Sequence, residues 1–119
     1  LSFDKINLNL DLGNRERYTV TMIRNFRDKW LKDFFENDIN HKKIPAAIRG
    51  SLFRKLQLLD DATCDLDLRS PPSNHFEKLS GKLKGKYSIR INKQWRLIFT
   101  WEDSKGEARK ICLDNHDYR

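Results

Sequence analysis

No stretch of about 18 apolar residues occurs anywhere in the chain, so nothing in it reads as a membrane-spanning helix. The first residues, LSFDKINLNLDLG, lack the basic start and apolar block of a signal peptide, and the expectation is a soluble, cytoplasmic protein with no membrane partner. Cysteine is scarce. Cys64 and Cys112 stand alone, without CxxC or Cys/His ligand spacing, which argues against a disulfide framework and against a zinc site; two reduced, buried thiols are expected. GxSxG, HExxH, phosphate-loop and EF-hand patterns are all missing, which disfavours hydrolases of those types, kinases and metalloenzymes. No metal and no other cofactor is expected. There is also no internal repeat, low-complexity segment or linker.

What remains is one domain's worth of chain, 119 residues with 38% hydrophobic and 34% charged side chains, polar but able to bury a core. The net charge is +7, which favours polyanionic partners. Its distribution is more informative than its size. Residues 1 to 21 are balanced, with three basic and three acidic side chains. The span 75 to 96 carries Lys78, Lys82, Lys84, Lys86, Arg90, Lys93 and Arg96 against Glu77 alone.

Patterning orders the chain into helices followed by strands. Ile6 to Leu12 alternates at period two, and Gly13-Asn14 allows a turn into a second extended run from Arg15 to Phe26, an optional amino-terminal hairpin. Asp28 precedes KWLKDFFEN, whose Trp30, Leu31, Phe34 and Phe35 fall at helical spacing. Pro45 opens a longer helix through about Leu59, with Ile48, Leu52, Phe53, Leu56 and Leu59 as its apolar stripe. Ser70 to Asn74 is a break. Short strands then follow at His75 to Leu79, Tyr87 to Asn92, Trp95 to Glu102 and Ala108 to Leu113, with Gly81 and Gly85 bracketing a basic turn. This predicts an α+β fold, two helices packed on one face of an antiparallel sheet. Tyr87, Ile89 and Ile91 share one face, with Trp95, Leu97, Phe99 and Trp101 as core side chains. Ser88, Arg90 and Asn92 point the other way, joined by Arg96. A sheet face rich in Arg and Lys suits phosphate, because Arg offers planar paired donors and Lys a point charge.

The densest titratable cluster is the terminal Asp114, Asn115, His116, Asp117, Tyr118 and Arg119. Metal-free RNA cleavage requires a base for the 2′-hydroxyl proton, cations for the crowded phosphate and an acid for the departing oxygen. Side chains of these types suffice.

The block LRSPPSNHFEKLSGKLKGKYSIRINKQWRLIFTW, with MIRNF, KLQLLDDAT and the ending DYR, resembles the HigB group of the RelE/ParE toxin superfamily. The resemblance covers residues 22 to 119 and leaves residues 1 to 21 as an extension of unknown origin. It implies a bacterial toxin with a RelE/ParE-like fold that cleaves messenger RNA on the ribosome and is neutralised by a helix-turn-helix antitoxin of the HigA type. Carried over position by position, it implies that Arg96 meets the phosphate, that Arg90 is the basic side chain of the preceding strand, and that Asp117 and Tyr118 form the near-terminal pair. His75 stands where relatives often carry Arg or Lys, and is a further catalytic candidate; Glu77 takes the place of a functional His in one branch. Lys82, Lys84, Lys86, Arg90, Lys93 and Arg119 are the expected contacts to RNA and ribosome. The family commonly ends its motif in His where this chain has Arg119, which cannot release a proton at neutral pH. Two rivals stay open: a ParE-like inhibitor of DNA gyrase, and an inactive toxin that only binds its antitoxin, because fold alone does not assign activity.

Overall fold

A computed structural model describes residues 23–115. The apolar residues of KWLKDFFEN line up on one face of α1, Lys29–Asn37, burying Leu31 and Phe34. Asp38 then adopts φ 57°, and its N–H bonds back to the carbonyl of Asp33, a left-handed stop. Pro45 leads a 3-10 turn, Ala46–Ile48, into α2, Arg49–Asp61. Leu52, Leu56 and Leu59 are fully buried along α2, each contributing about 1.5–3 kcal/mol over an exposed side chain. A third helix that the sequence pattern did not announce, α3, follows at Asp65–Arg69. The Asp67 carboxylate accepts the Thr63 backbone N–H at 2.9 Å and its hydroxyl at 3.0 Å, and the backbone bond chiefly holds Asp67 below the usual carboxylate range.

Among the described residues four strands, β1 (Glu77–Lys78), β2 (Tyr87–Arg90), β3 (Trp95–Glu102) and β4 (Glu107–Asn115), form an antiparallel meander in chain order. With the helices they make the α+β architecture that the patterning predicts. β1 is shorter than the expected His75 to Leu79, because His75 takes φ 46° to close the 3-10 turn Pro72–Asn74. Ile23 and Phe26 make parallel bridges to Ala108 and Ile111 of β4. The rest of the expected amino-terminal hairpin lies outside the described residues. Ile89, Leu97, Phe99 and Ile111 meet the leucines of α2 in one core, with Trp95 and Trp101 packed on the same side. Trp30 packs against the edge of this core and stacks on His41 at 5.2 Å. Both cysteines are free, Cys112 buried and Cys64 half-buried; burial pushes the Cys112 thiol up. Among the described residues no helix is long and apolar enough to cross a membrane.

Glu107 fastens the amino-terminal run to β4. Its carboxylate accepts from Arg24 and from Arg109, each at 2.8 Å. The Arg24 hydrogen bond, helped by the charges of both guanidinium groups, holds Glu107 below the usual carboxylate range. A carboxyl with a depressed folded pKa contributes stability that is fully present above its unfolded value, about 4.3, and is lost as the pH falls through the folded value. Glu107→Gln is therefore expected to lower the melting temperature at pH 7 and to flatten its fall below about pH 4. Equal melting temperatures for both proteins at pH 7 would show that the cluster is inert.

Candidate active site

The outer face of the sheet is built by register. Arg90 faces Arg96 across β2 and β3, and Arg96 faces Asp114 across β3 and β4. Two like charges directly opposite each other are unfavourable in a sheet, so the carboxylate on the far side offsets part of that cost. Arg96 is buried, its side chain only 10% exposed, and its Nε donates to Asp114 Oδ2 at 3.1 Å. Its Nη groups have no partner among the described residues.

Asp114 reaches this place through an irregularity. From the β3–β4 turn, Glu102 pairs with Glu107, Trp101 with Ala108 and Thr100 with Arg109. The register then shifts between Ile98 and Thr100, so that Ile98 pairs with Cys112 and Arg96 with Asp114. Lys110, at φ 56°, lies in this stretch, its N–H held at 2.7 Å by the Asn25 side chain. Without the extra residue, Leu113 would face Arg96. With it, Ile111 and Leu113 pack against the core, and Cys112 and Asp114 turn to the outer face.

Around Arg96 opens a cleft of about 380 Å³, lined by His75, Glu77, Ser88, Arg90, Asn92, Lys93, Trp95 and Arg96. Asn92 shapes its far end. Its side-chain oxygen accepts the N–H groups of Gln94 and Trp95, both at 2.8 Å, folding the β2–β3 connection, while its carbonyl accepts Arg90 Nε at 3.1 Å. Arg90 Nη1 lies 3.3 Å from His75 Nε2. A guanidinium has only donors, so this is a hydrogen bond only with Nε2 as the unprotonated acceptor. The loop that carries His75 is fixed from below by Asn74. Fully buried, Asn74 donates to the carbonyls of Leu68 and Ser70 at 3.1 and 3.0 Å and accepts from Lys55 of α2. Burial, with Arg54 nearby, pushes the Lys55 ammonium below its usual range.

Of the residues predicted from the sequence, His75, Arg90, Lys93 and Arg96 converge on this cleft. Lys82 and Lys86 line a second cleft on the same sheet face, and Lys84 lies exposed on the turn between them. Asp117, Tyr118 and Arg119 lie outside the described residues. Sequence reasoning placed Ser88 and Asn92 on the Arg90 face, where they line the cleft, but it did not select Glu77 and had no signal for the Arg96–Asp114 pair, which depends on the register shift. A half-enclosed cleft with three cations, an imidazole acceptor and a carboxylate can bind an anion and exchange a proton beside it.

Comparison with known proteins gives this arrangement a family. Residues 24–116 match the family of RelE-like toxins of the type II toxin–antitoxin system HigB. The chain is 54% identical over 97 residues, 82% of its length and all of the relative's, to Toxin HigB-1 of Vibrio cholerae. It is 43% identical over 93 residues, 78% of its length and 90% of the relative's, to an uncharacterized protein of Haemophilus influenzae. Such a toxin has an antitoxin as its partner, and on the fold, the basic sheet face and these matches, the chain belongs to the HigB-like, RelE-like toxins of type II toxin–antitoxin systems.

Proposed function

We propose that the protein is a ribosome-dependent messenger RNA endoribonuclease that works without a metal, and that a HigA-type helix-turn-helix antitoxin in the cytoplasm silences it. The observation that carries this reading is Arg96: a buried guanidinium, braced on Asp114 through Nε, with its Nη groups unpartnered among the described residues, at a cleft that also holds His75 and Arg90. In the proposed reaction the 2′-oxygen attacks the adjacent phosphorus and the bond to the 5′-oxygen breaks, leaving a cyclic phosphate and a free 5′-hydroxyl. Arg96 stabilises the charge that builds on the phosphoryl oxygens, aided by Arg90 and Lys93. When Arg90 turns to the phosphate it releases His75 Nε2, a neutral acceptor placed to take the 2′-proton, with Glu77 beside it in the same cleft. Asp117 and Tyr118 serve the departing 5′-oxygen in this reading. Arg119, always charged, adds a phosphate contact rather than a proton.

Such a site is rich in cations and poor in strong acid and base groups, so it gains most from a substrate held in place by something else. Purified protein is therefore expected to cut message on translating ribosomes and to leave the same RNA nearly intact when free. The check is 5′-end mapping of both samples. Equal cutting of free RNA would remove the ribosome from the mechanism, and intact message with a DNA-damage response would favour gyrase as the target.

A further inference from the structure

The second cleft, also about 380 Å³, is lined by Arg27, Lys82, Leu83, Lys86, Ile98, Lys110, Cys112 and Asp114. It adjoins the first on one sheet face. Ser88 of the first cleft pairs with Ile98 of the second, and Arg96 of the first pairs with Asp114 of the second. The Arg96–Asp114 pair is thus the wall between them, and neighbouring positions across it are about 5 Å apart.

Its charge is one-sided. Among the described residues four cations reach it from three separate parts of the chain, against one carboxylate already engaged by Arg96. Arg27 is paired with its neighbour Asp28 at 3.0 Å, while Lys82, Lys86 and Lys110 have no ion pair among the described residues. Two of the four are placed by backbone features rather than left on flexible ground. The Arg27 N–H bonds to the Ile111 carbonyl at 2.9 Å, and Lys110 is held at the β4 irregularity by Asn25. The rest of the lining is apolar, Leu83 with Ile98 and Cys112 of the sheet as a floor. Cations above an apolar surface match a nucleotide, whose phosphate is charged and whose base is not.

We infer that this second cleft is a subsite for the next nucleotide of the same RNA strand, with Arg27 and Lys110 as phosphate contacts alongside Lys82 and Lys86. The strand then crosses the wall with the reacting phosphate at Arg96 and its neighbour over Ile98. An acidic peptide would satisfy the cations equally well, but it would leave the apolar floor unused and would not explain why the cleft continues the Arg96 site. The inference rests on the RNA reading of the first cleft and extends it to a second residue of substrate.

The test compares the full chain with an Arg27→Gln/Lys110→Gln variant, substitutions that keep an unbranched polar side chain, shorter than the native one, and remove the charge. Binding of two single-stranded oligoribonucleotides, a dinucleotide with one phosphate and a tetranucleotide with three, is followed by NMR shift perturbation across a salt series. The native chain is expected to bind the tetranucleotide more tightly. The variant should keep the dinucleotide affinity within twofold, lose about tenfold on the tetranucleotide, and show a log–log salt slope shallower by about 0.7 for each phosphate contact removed. Unchanged tetranucleotide affinity in the variant overturns the subsite while leaving the first cleft as read. Losses on both oligonucleotides alike also overturn it, since the two cations would then act as a general field. If native protein shows shifts at neither cleft with either RNA but binds an acidic antitoxin peptide through Arg27 and Lys110, the subsite and the RNA reading fall together.

Discussion

Arg96→Ala is expected to slow message cleavage on ribosomes by roughly 10²–10³-fold, the loss typical when one preorganised donor to a developing oxyanion is removed, while the protein stays folded and antitoxin binding persists. The side chain is buried and braced on Asp114, so its charge is delivered in one orientation that Arg90 and Lys93, at other points of the same cleft, do not reproduce. Arg90 sits directly opposite and can turn from Asn92 and His75 to the phosphate, but from its own side of the cleft. Folding should tolerate the change, because removing Arg96 relieves the like-charge contact with Arg90 while costing the contact with Asp114, and these oppose each other. Arg96→Lys keeps the charge and loses the planar fork, so it should restore only part of the rate. Asp114→Ala is informative in combination. If Asp114 acts by aiming Arg96, it slows the native enzyme but adds nothing in the Arg96→Ala background, a non-additivity that independent sites do not show. Rates are read as single turnovers at saturating toxin, with melting temperatures alongside. A folded Arg96→Ala protein that cuts at the native rate would move the active site elsewhere.

How much of this could be read before the fold was known depends on the range of each signal. Leu97 and Phe99 alternate with Arg96 and Ile98 over an uninterrupted strand, so period two assigned their faces correctly. The stripe of Leu52, Leu56 and Leu59 likewise defined α2. Short or non-local features escaped. Five residues of α3 span little more than one turn, too few for a periodic pattern. The strand-like pairing of Ile23 and Phe26 with β4 is parallel and spans more than eighty residues of sequence, which no local pattern encodes. The largest omission, Asp114 on Arg96, follows from one irregularity. Counting back from the hairpin turn would place Leu113 opposite Arg96, and only the shift near Lys110, held by Asn25, exchanges an apolar side chain for the carboxylate. The cationic density of residues 75 to 96 was legible. Its division between two clefts was not, since Arg27 and Lys110 join from distant parts of the chain.

The largest loss of stability is expected from Gly106→Ala. The β3–β4 turn closes with the Gly106 N–H bonded to the carbonyl of Glu102 at 2.8 Å and to that of Asp103 at 3.2 Å, which requires φ of 62° at Gly106. In that region an L side chain is strained. Space is equally short: a Cβ at Gly106 would lie 2.5 Å from the carbonyl oxygen of Thr63 and 2.8 Å from its carbonyl carbon. These are backbone atoms and cannot rotate away. They are also fixed, since the Thr63 N–H is held by Asp67 at 2.9 Å and the Asp65 N–H bonds to Asp103 Oδ1 at 2.5 Å, tying the α2–α3 connection to this same turn. Strain and overpacking together should cost about 3 kcal/mol or more. The damage should spread beyond the turn, because the β3–β4 ladder starts at the Glu102–Glu107 pair beside it and leads on to Arg96 and Asp114. The variant is thus expected to show a lower urea midpoint with an unchanged slope, and faster amide exchange in β3 and β4 than in α1. A midpoint equal to the native value would mean that the turn relaxes away from Thr63, and that the docking of turn to helix connection contributes little to holding the sheet.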